Sequence, residues 1–380
     1  MLDFKLTEEQ DSLIAAARRF TRERIIPVAA EADKKSELPV DVVRAAWENG
    51  LVNVTIPEAY GGLGLGELEN TMIVEELGYG CTGIQTSITA NTLAATPVLL
   101  AGSEEQKKKY LGMLTAEPIF ASYATSEPGA GSDVAGMTCK FTQHGDDYVL
   151  NGSKAWITNA SRASWFVVFA TSDPASRHKG IAAFIIDANT PGFKVGKHED
   201  KLGQRASDTC TLSLEDVKVP KANLLAGPGA GFKLAMETFN QTRPDIGAAA
   251  VGLMRRCLDE CVAYAKERKT FGQPIANHQM IQFMLAEMAI RIEATQLLVR
   301  KAAWALDSKA RSPIVSSCSK AFGADSAMAT AIDAVQIFGG NGYTKEYPVE
   351  KLMRDAKVLQ IYEGTSQIQR IVIAKAVLGA

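Results

Sequence analysis

Glu363 stands in the run Ile361-Tyr362-Glu363-Gly364-Thr365-Ser366-Gln367-Ile368-Gln369-Arg370. Ser366 and Gln369 have capping-box spacing, which predicts a helix beginning just after Ser366 and leaves Glu363 in the connector, near a positive helix end. A glutamate in a connector is either surface decoration or, with apolar Ile361 and Tyr362 beside it, a partly buried carboxylate. Burial raises a carboxyl pKa and makes it a better base. Four other segments carry chemistry of their own. Tyr123-Ala-Thr-Ser-Glu-Pro-Gly-Ala-Gly-Ser-Asp133 ends a strand in a Gly- and Pro-containing turn, which is either an ordinary turn or a cradle that lets a ligand approach the main chain. Trp156-Ile-Thr-Asn159 sets a large aromatic beside hydroxyl and amide groups, as a core Trp or as a platform for a planar ring. Arg268-Lys-Thr-Phe-Gly272 closes a helix, as simple capping or as an anion clamp. Ala334-Val-Gln-Ile-Phe-Gly-Gly-Asn-Gly342 ends an apolar helix in paired glycines, a common C-terminal stop that also permits close passage of another molecule.

The elements that must position these residues change character twice. Residues 1–117 read as helices. Phe4, Leu6, Leu13, Ile14, Ala17 and Phe20 recur at helical spacing after a Thr7–Gln10 capping box, a second helix follows Pro39, and helical patterns resume over 69–77, 84–100 and 104–114. Between 118 and 228 the apolar runs are short and strand-like: 119–125, 148–151, 165–171, 181–186 and 209–219. In the last run the alternation slips at Asp216. Period two with one apolar side predicts a half-buried antiparallel sheet. From 229 to 380 the period is helical again, with Ala-rich segments 247–267, 279–306 and 312–336 suited to an antiparallel bundle.

Composition narrows the function. The 380 residues carry 41 basic and 43 acidic side chains, a net charge of −2, so nucleic acid is not gripped through overall charge. Six scattered cysteines and four scattered histidines form neither a disulfide framework nor a metal site. The N-terminus lacks a signal-peptide pattern, and the long uncharged stretch 77–103 is too polar to span a membrane. A soluble protein of a reducing compartment is expected: a bacterial cytoplasm, or the mitochondrial matrix for a mature form.

Together and in this order, SEPGAGSDVAG, WITN, RKTFG, QIFGGNGY and IYEGTSQIQR resemble the acyl-CoA dehydrogenase family over essentially the whole chain, with the medium-chain branch nearest. The resemblance implies an α+β fold: an N-terminal α-helical domain (1–117), a middle β-barrel (118–228) and a C-terminal four-helix bundle (229–380), assembled as a homotetramer, a dimer of dimers. It implies FAD between barrel and bundle. Tyr123, Thr125 and Ser126 match the strand lining the flavin, and Trp156 and Thr158 the positions beside its ring. Arg268, Phe271, Gln336, Gly339 and Gly340 match contacts to the cofactor of a neighbouring subunit, and Thr365 and Gln367 contacts after the catalytic loop. Ser132 and Arg243 match residues near the thioester, Gln85 and Thr89 the far end of the acyl cavity, and Tyr362 and Gly364 flank the substrate beside the base. Glu363 matches the catalytic base, which removes the α-proton of an acyl-CoA while the β-hydrogen leaves as hydride. The product is a trans-2-enoyl-CoA.

Other family members carry the base at the position of Thr242, which leaves Glu363 as the matching candidate here. Thr89 and the short loop 172–180 depart from the medium-chain pattern, so the acyl group stays open. So does Asp245, where that branch is apolar: it faces either the acyl pocket or solvent, and the cost of burying an unpaired carboxylate favours solvent. An electron-transferring flavoprotein is the implied electron acceptor, docking on Phe20, Leu51, Leu63, Leu65 and Ile73 with Glu199 as a charged contact; the same apolar residues could equally be core. Two other functions compete: an acyl-CoA-binding or assembly protein that has lost catalysis, which need not keep Glu363, and an oxidase using oxygen directly.

Overall fold

The computed structural model describes residues 5–310 and 312–379, so Phe4 lies outside the described residues. Helices α1 (Glu8–Phe20), α2 (Ile26–Lys35), α3 (Val40–Glu48), α4 (Glu67–Gly80) and α5 (Thr82–Ala101) are followed by short α6 (Glu104–Gln106) and α7 (Gly112–Ala116). The predicted capping box is present: Thr7 Oγ1 accepts from Gln10 N–H and the Gln10 side chain accepts from Thr7 N–H.

Eight strands follow: β1 (Phe120–Ala124), β2 (Lys140–His144), β3 (Asp147–Thr158), β4 (Ala163–Thr171), β5 (Ile181–Asp187), β6 (Phe193–His198), β7 (Thr209–Pro220) and β8 (Leu224–Ala226). Their order is β6-β7-β3-β2-β4-β5-β8, with β1 added alongside β4. The expectation of an antiparallel, half-buried sheet is corrected in two respects. β1 and β2 pair with β4 in parallel. And β4 and β5 are buried on both faces: Phe166, Val168 and Phe184 join the core shared with α1–α3, whereas Trp165, Val167, Phe169 and Ile185 join a second core under α5 and α7. A sheet covered on both sides reads as continuous apolar runs rather than alternation. The slip at Asp216 is a β-bulge. Its φ is 51°, the β3–β7 register shifts there, and Asn151 clamps it by donating to its carboxyl at 3.0 Å and accepting its N–H at 2.8 Å.

The C-terminal region is built on α8 (Ala230–Glu267), with α9 (Gln279–Asp307), α10 (Pro313–Phe338), α11 (Val349–Leu359) and α12 (Ser366–Leu378) around it; a small hairpin of β9 (Lys269–Thr270) and β10 (Gln273–Pro274) follows α8. The helices cross closely where side chains are missing. A Cβ at Gly252 of α8 would overlap the carbonyl of Glu75 on α4, and one at Gly78 would sit 3.0 Å from the carbonyl of Ala249. Beside that crossing lies a buried ion network. Arg255 donates to Glu75 at 2.7 Å and Glu76 at 2.8 Å, Arg18 to Glu76 at 2.9 Å and Arg300 to Glu75 at 3.0 Å. It braces α1, α4, α8 and α9. No helix among the described residues is long and apolar enough to cross a membrane.

Candidate active site

The loop between α11 and α12 turns sharply. Glu363 and Gly364 have φ of 52° and 87°, the left-handed region that costs a non-glycine residue about 1–3 kcal/mol. The strain is held by hydrogen bonds from three elements. Ser366 N–H reaches Gln360 O at 2.9 Å, Gln369 Nε2 donates to the carbonyls of Glu363 at 3.2 Å and Gly364 at 2.9 Å, and Lys320 Nζ on α10 donates to the Gly364 carbonyl at 2.6 Å. The helix begins one residue earlier than predicted: Thr365 is the N-cap, its Oγ1 accepting from Ile368 N–H at 3.1 Å. Ser366 is instead buried and donates to Asp325 at 2.9 Å, and Gln369, freed from the capping box, props the turn.

The Glu363 carboxyl is half-buried and touches one donor, the Thr242 hydroxyl of α8 at 2.6 Å. Pro244 offers no N–H to the turn of α8 that carries Thr242 and Arg243. Arg243 is buried and committed elsewhere, to Asn240 at 2.7 Å and Ser317 at 3.3 Å, and its Nε has no partner. Burial pushes Glu363 up, the Thr242 hydrogen bond pulls it back, the charge of Asp245 adds to the rise, and Arg243 and Lys320 oppose it; the outcome is about 7. Burial draws Lys320 down to about 8, with Glu363 opposing. A carboxyl half-ionised near neutral pH and lacking a bonded cation is suited to taking up a proton.

The sheet delivers a second group of residues to this place. The Tyr123 ring packs 5.6 Å from Phe239 of α8, one turn before Thr242, and its charge-free hydroxyl is pushed up by burial and the Glu363 charge. Tyr123 Oη and Thr125 Oγ1 are both buried without a partner. Segments 123–126 and 154–158 run side by side: Ala155 N–H donates to Ser126 O at 3.0 Å, Ser122 Oγ to Thr158 O at 2.7 Å, and the buried Lys154 to Thr125 O at 3.2 Å and to Glu127 at 2.8 Å. Trp156, at φ 64°, is turned outward and 61% exposed. On the other side Tyr362 joins α5 through Gln204, which donates to the Tyr362 hydroxyl at 3.3 Å and accepts from Thr86 at 3.0 Å. Gln85 is buried, donating to Thr89 at 2.9 Å with its Oε1 unpartnered.

Arg268, Phe271, Gln336, Gly339 and Gly340 are not part of this cluster. They are exposed at the far ends of α8 and α10, held together by the Tyr264–Phe338 stack at 4.0 Å. At 1.5 Å per residue, Arg268 is about 39 Å along α8 from Thr242. Ser132 and Gln367 are exposed. Phe20, Leu51 and Ile73 are core residues and are not available to a partner, whereas Leu63 is 51% exposed and Leu65 half-buried. Glu199 is largely covered and pairs with Lys197 at 3.2 Å.

The acyl-CoA dehydrogenase N-terminal, middle and C-terminal domains match residues 7–117, 122–217 and 229–378. The probable medium-chain specific acyl-CoA dehydrogenase 2, mitochondrial, of Caenorhabditis briggsae is 52% identical, over 100% of this chain and 92% of its own length. The chain belongs to the acyl-CoA dehydrogenase family. Butyryl-CoA dehydrogenase from Megasphaera elsdenii superposes with a TM-score of 0.96 at 38% identity, covering 99% of this chain and 100% of that one. A chain solved in work on the electron-transferring flavoprotein of Acidaminococcus fermentans and flavin-based electron bifurcation reaches 0.97 at 42% identity, covering 100% of each. A dehydrogenase of this family is a flavin-dependent oxidoreductase. The site fits such a group: two orphaned hydroxyls, an outward Trp face and open space around Gly129 and Gly131 lie together.

Three residues of this cluster are not singled out as site members by the sequence: Thr242 reads there as a position without a carboxylate, and Gln369 as a capping residue. Lys320 left a readable signal, a lone cation in an uncharged run of small residues from 312 to 324. Asp245 corrects an expectation: it is buried rather than solvent-facing, because Asn70 supplies the partner that sequence alone does not reveal.

Proposed function

We propose that this chain dehydrogenates a short- or medium-chain acyl-CoA, straight, branched or alicyclic, to its trans-2-enoyl-CoA, with Glu363 as the base and FAD as the cofactor. One observation carries the reading: a carboxyl with a pKa near 7, fixed by its own strained backbone and touched only by a hydroxyl, faces the orphaned polar groups of β1 and its turn. Bound FAD supplies the acceptor for the hydride leaving the β-carbon. Tyr123, Thr125, Ser126, Trp156, Thr158, Thr365 and Gln367 would hold it in one subunit, and Arg268, Phe271, Gln336, Gly339 and Gly340 that of a neighbour. The distance between the two groups supports this division and with it the homotetramer.

Glu363 takes the α-proton. An α-carbon beside a thioester is a weak acid, so its carbonyl needs hydrogen-bond donors as charge develops, each contributing about 3–4 kcal/mol. The Glu363 N–H is available for this, since the left-handed turn diverts it from the helix ladder. Substrate would line up along Gln85, Thr89, Tyr362 and Gly364, with Arg243 and Ser132 near the thioester and CoA. Its binding displaces water and raises the basicity of Glu363 further.

The purified protein is expected to be yellow and to bleach anaerobically with at least one member of an acyl-CoA panel. Glu363→Gln should bind the same ligand and stay yellow; turnover at the native rate in that variant removes the assignment. Electrons would pass to an electron-transferring flavoprotein, supported by the exposed Leu63 and the half-buried Leu65. Leu63→Arg should slow turnover coupled to that protein and spare a dye-coupled assay.

A further inference from the structure

Asp245 follows Thr242 by three residues on α8, so the two side chains leave the helix as neighbours one turn apart. It is 6% exposed. Asn70 Nδ2 of α4 donates to Asp245 at 2.8 Å and lies 3.4 Å from both carboxyl oxygens of Glu67. Two carboxyls therefore converge on one amide. Among the described residues neither is bonded to a lysine or arginine, unlike Glu75 and Glu76 further along α4. Two such groups cannot both be ionised at neutral pH; they share a proton. Burial and then the Asp245 charge push Glu67 well up, and Asp307, which accepts the Glu67 and Leu68 N–H groups at 2.7 and 2.9 Å, adds to that. Burial lifts Asp245 only to about 6, because Glu67 and Asn70 both donate to it. Glu67 is pushed up the further of the two, and the pair, gathered on one amide, carries a single negative charge beside α8.

Charged and titratable groups of four elements act on Glu363. From α8 come Arg243 and Asp245, from α10 Lys320, from β1 Tyr123, and from its own loop Tyr362. Arg243 and Lys320 are held by other acceptors, so Asp245 is the carboxyl in the set that nothing nearby neutralises.

We propose that Asp245 is a positioning residue for the base: a buried carboxyl beside Thr242, held by Asn70 and Glu67, whose charge helps set the pH at which Glu363 becomes able to accept a proton. The catalytic consequence rests on the dehydrogenase reading above; the coupling between the two carboxyls does not.

Two measurements separate these. The first is the infrared titration of the Glu363 carboxyl in the holoprotein without substrate, taken as the native spectrum minus that of Glu363→Gln. The second is the pH profile of anaerobic flavin reduction by an acyl-CoA. In Asp245→Asn, which keeps the shape, the infrared midpoint and the acidic limb of the rate both move to lower pH by roughly half to one unit. Asp245→Val removes the same charge by another route and moves them the same way, so a folding failure in one variant leaves the other to decide. Glu67→Gln retains a donor to Asp245 and moves the midpoint by less than half as much. A merely structural Asp245 would lower melting temperature and rate at every pH without displacing either midpoint. An unmoved midpoint in both Asp245 variants, with native melting curves, overturns the proposal. If the native protein is reduced by no acyl-CoA, the reaction falls, and the infrared midpoint alone confirms or refutes the coupling.

Discussion

Two sets of carboxylates are treated in opposite ways: Glu75 and Glu76, buried on α4, and Glu363, half-buried in the loop that meets α8. Burial pushes Glu76 up, but Arg18 and Arg255 outweigh it and hold the carboxyl below its ordinary range. Glu363 is also pushed up by burial but meets one hydroxyl, while its two nearby cations are occupied elsewhere, and ends near 7. Depth below the surface therefore does not decide what a carboxylate is for. The partner does: guanidinium forks turn Glu75 and Glu76 into a brace, and their absence leaves Glu363 able to change its charge.

The contrast can be broken at its strongest point by removing the carboxyl that is free to titrate. Glu363→Gln should reduce flavin bleaching by about two to four orders of magnitude, read by stopped-flow absorbance, with little loss of fold. Glu75→Ala should do the reverse. Stripping Arg300 of its carboxylate, and leaving Arg255 with Glu76 alone, costs about 3–5 kcal/mol in a denaturant titration, and the protein that remains folded should still bleach.

The pH dependence of stability sharpens the same comparison, because the two signs differ. The Glu363 pKa is raised on folding, so the folded state holds its proton through the window from about 4.5 to 7 while the unfolded chain loses it; stability falls as pH rises across that window. Melting temperatures of Glu363→Gln and the native protein should coincide near pH 4.5 and part by neutral pH. The variant should then be the more stable by about 1–2 kcal/mol, after allowing for the solvent that reaches a half-buried side chain. Glu76 is lowered on folding, so its contribution is complete above the unfolded pKa and disappears as pH falls through the folded one; Glu76→Gln should flatten the acid side instead. The smallest effect is expected of Thr242→Val, which removes the hydroxyl that favours the ionised base. The acidic limb of bleaching should rise by roughly half a unit, with a few-fold loss of rate at pH 7.

Much of this was legible in the chain. The helix–sheet–helix succession, the Thr7 cap and the slip at Asp216 follow from period and local chemistry, and Glu363 could be placed in a connector between helices. The elements that escaped were those with weak local signals. Strands β2 and β6 are mostly exposed and polar, β8 is three residues long, and α2 and α11 carry no cap that sequence alone displays. In the site the failures share one cause. Thr365 and Ser366 are equally good N-caps until Asp325 claims the serine hydroxyl. Asp245 reads as a surface residue until Asn70, 175 positions away, is brought against it. Phe20, Leu51 and Ile73 read as either patch or core, and only packing distinguishes the two. Long-range pairing, not propensity, settled each of these.

The crossing of α4 and α8 has a consequence for variation. With no methyl at position 78 or 252, the two backbones lie close enough for Asn70 to span the gap to Asp245 and for Arg255 to reach Glu75 and Glu76. An alanine at 252 would act as a wedge, prising the helices apart and slackening both clusters at once, although it adds neither charge nor polarity. The bare backbone there is a spacer shared by scaffold and chemistry, so a change as small as one methyl group is felt at both.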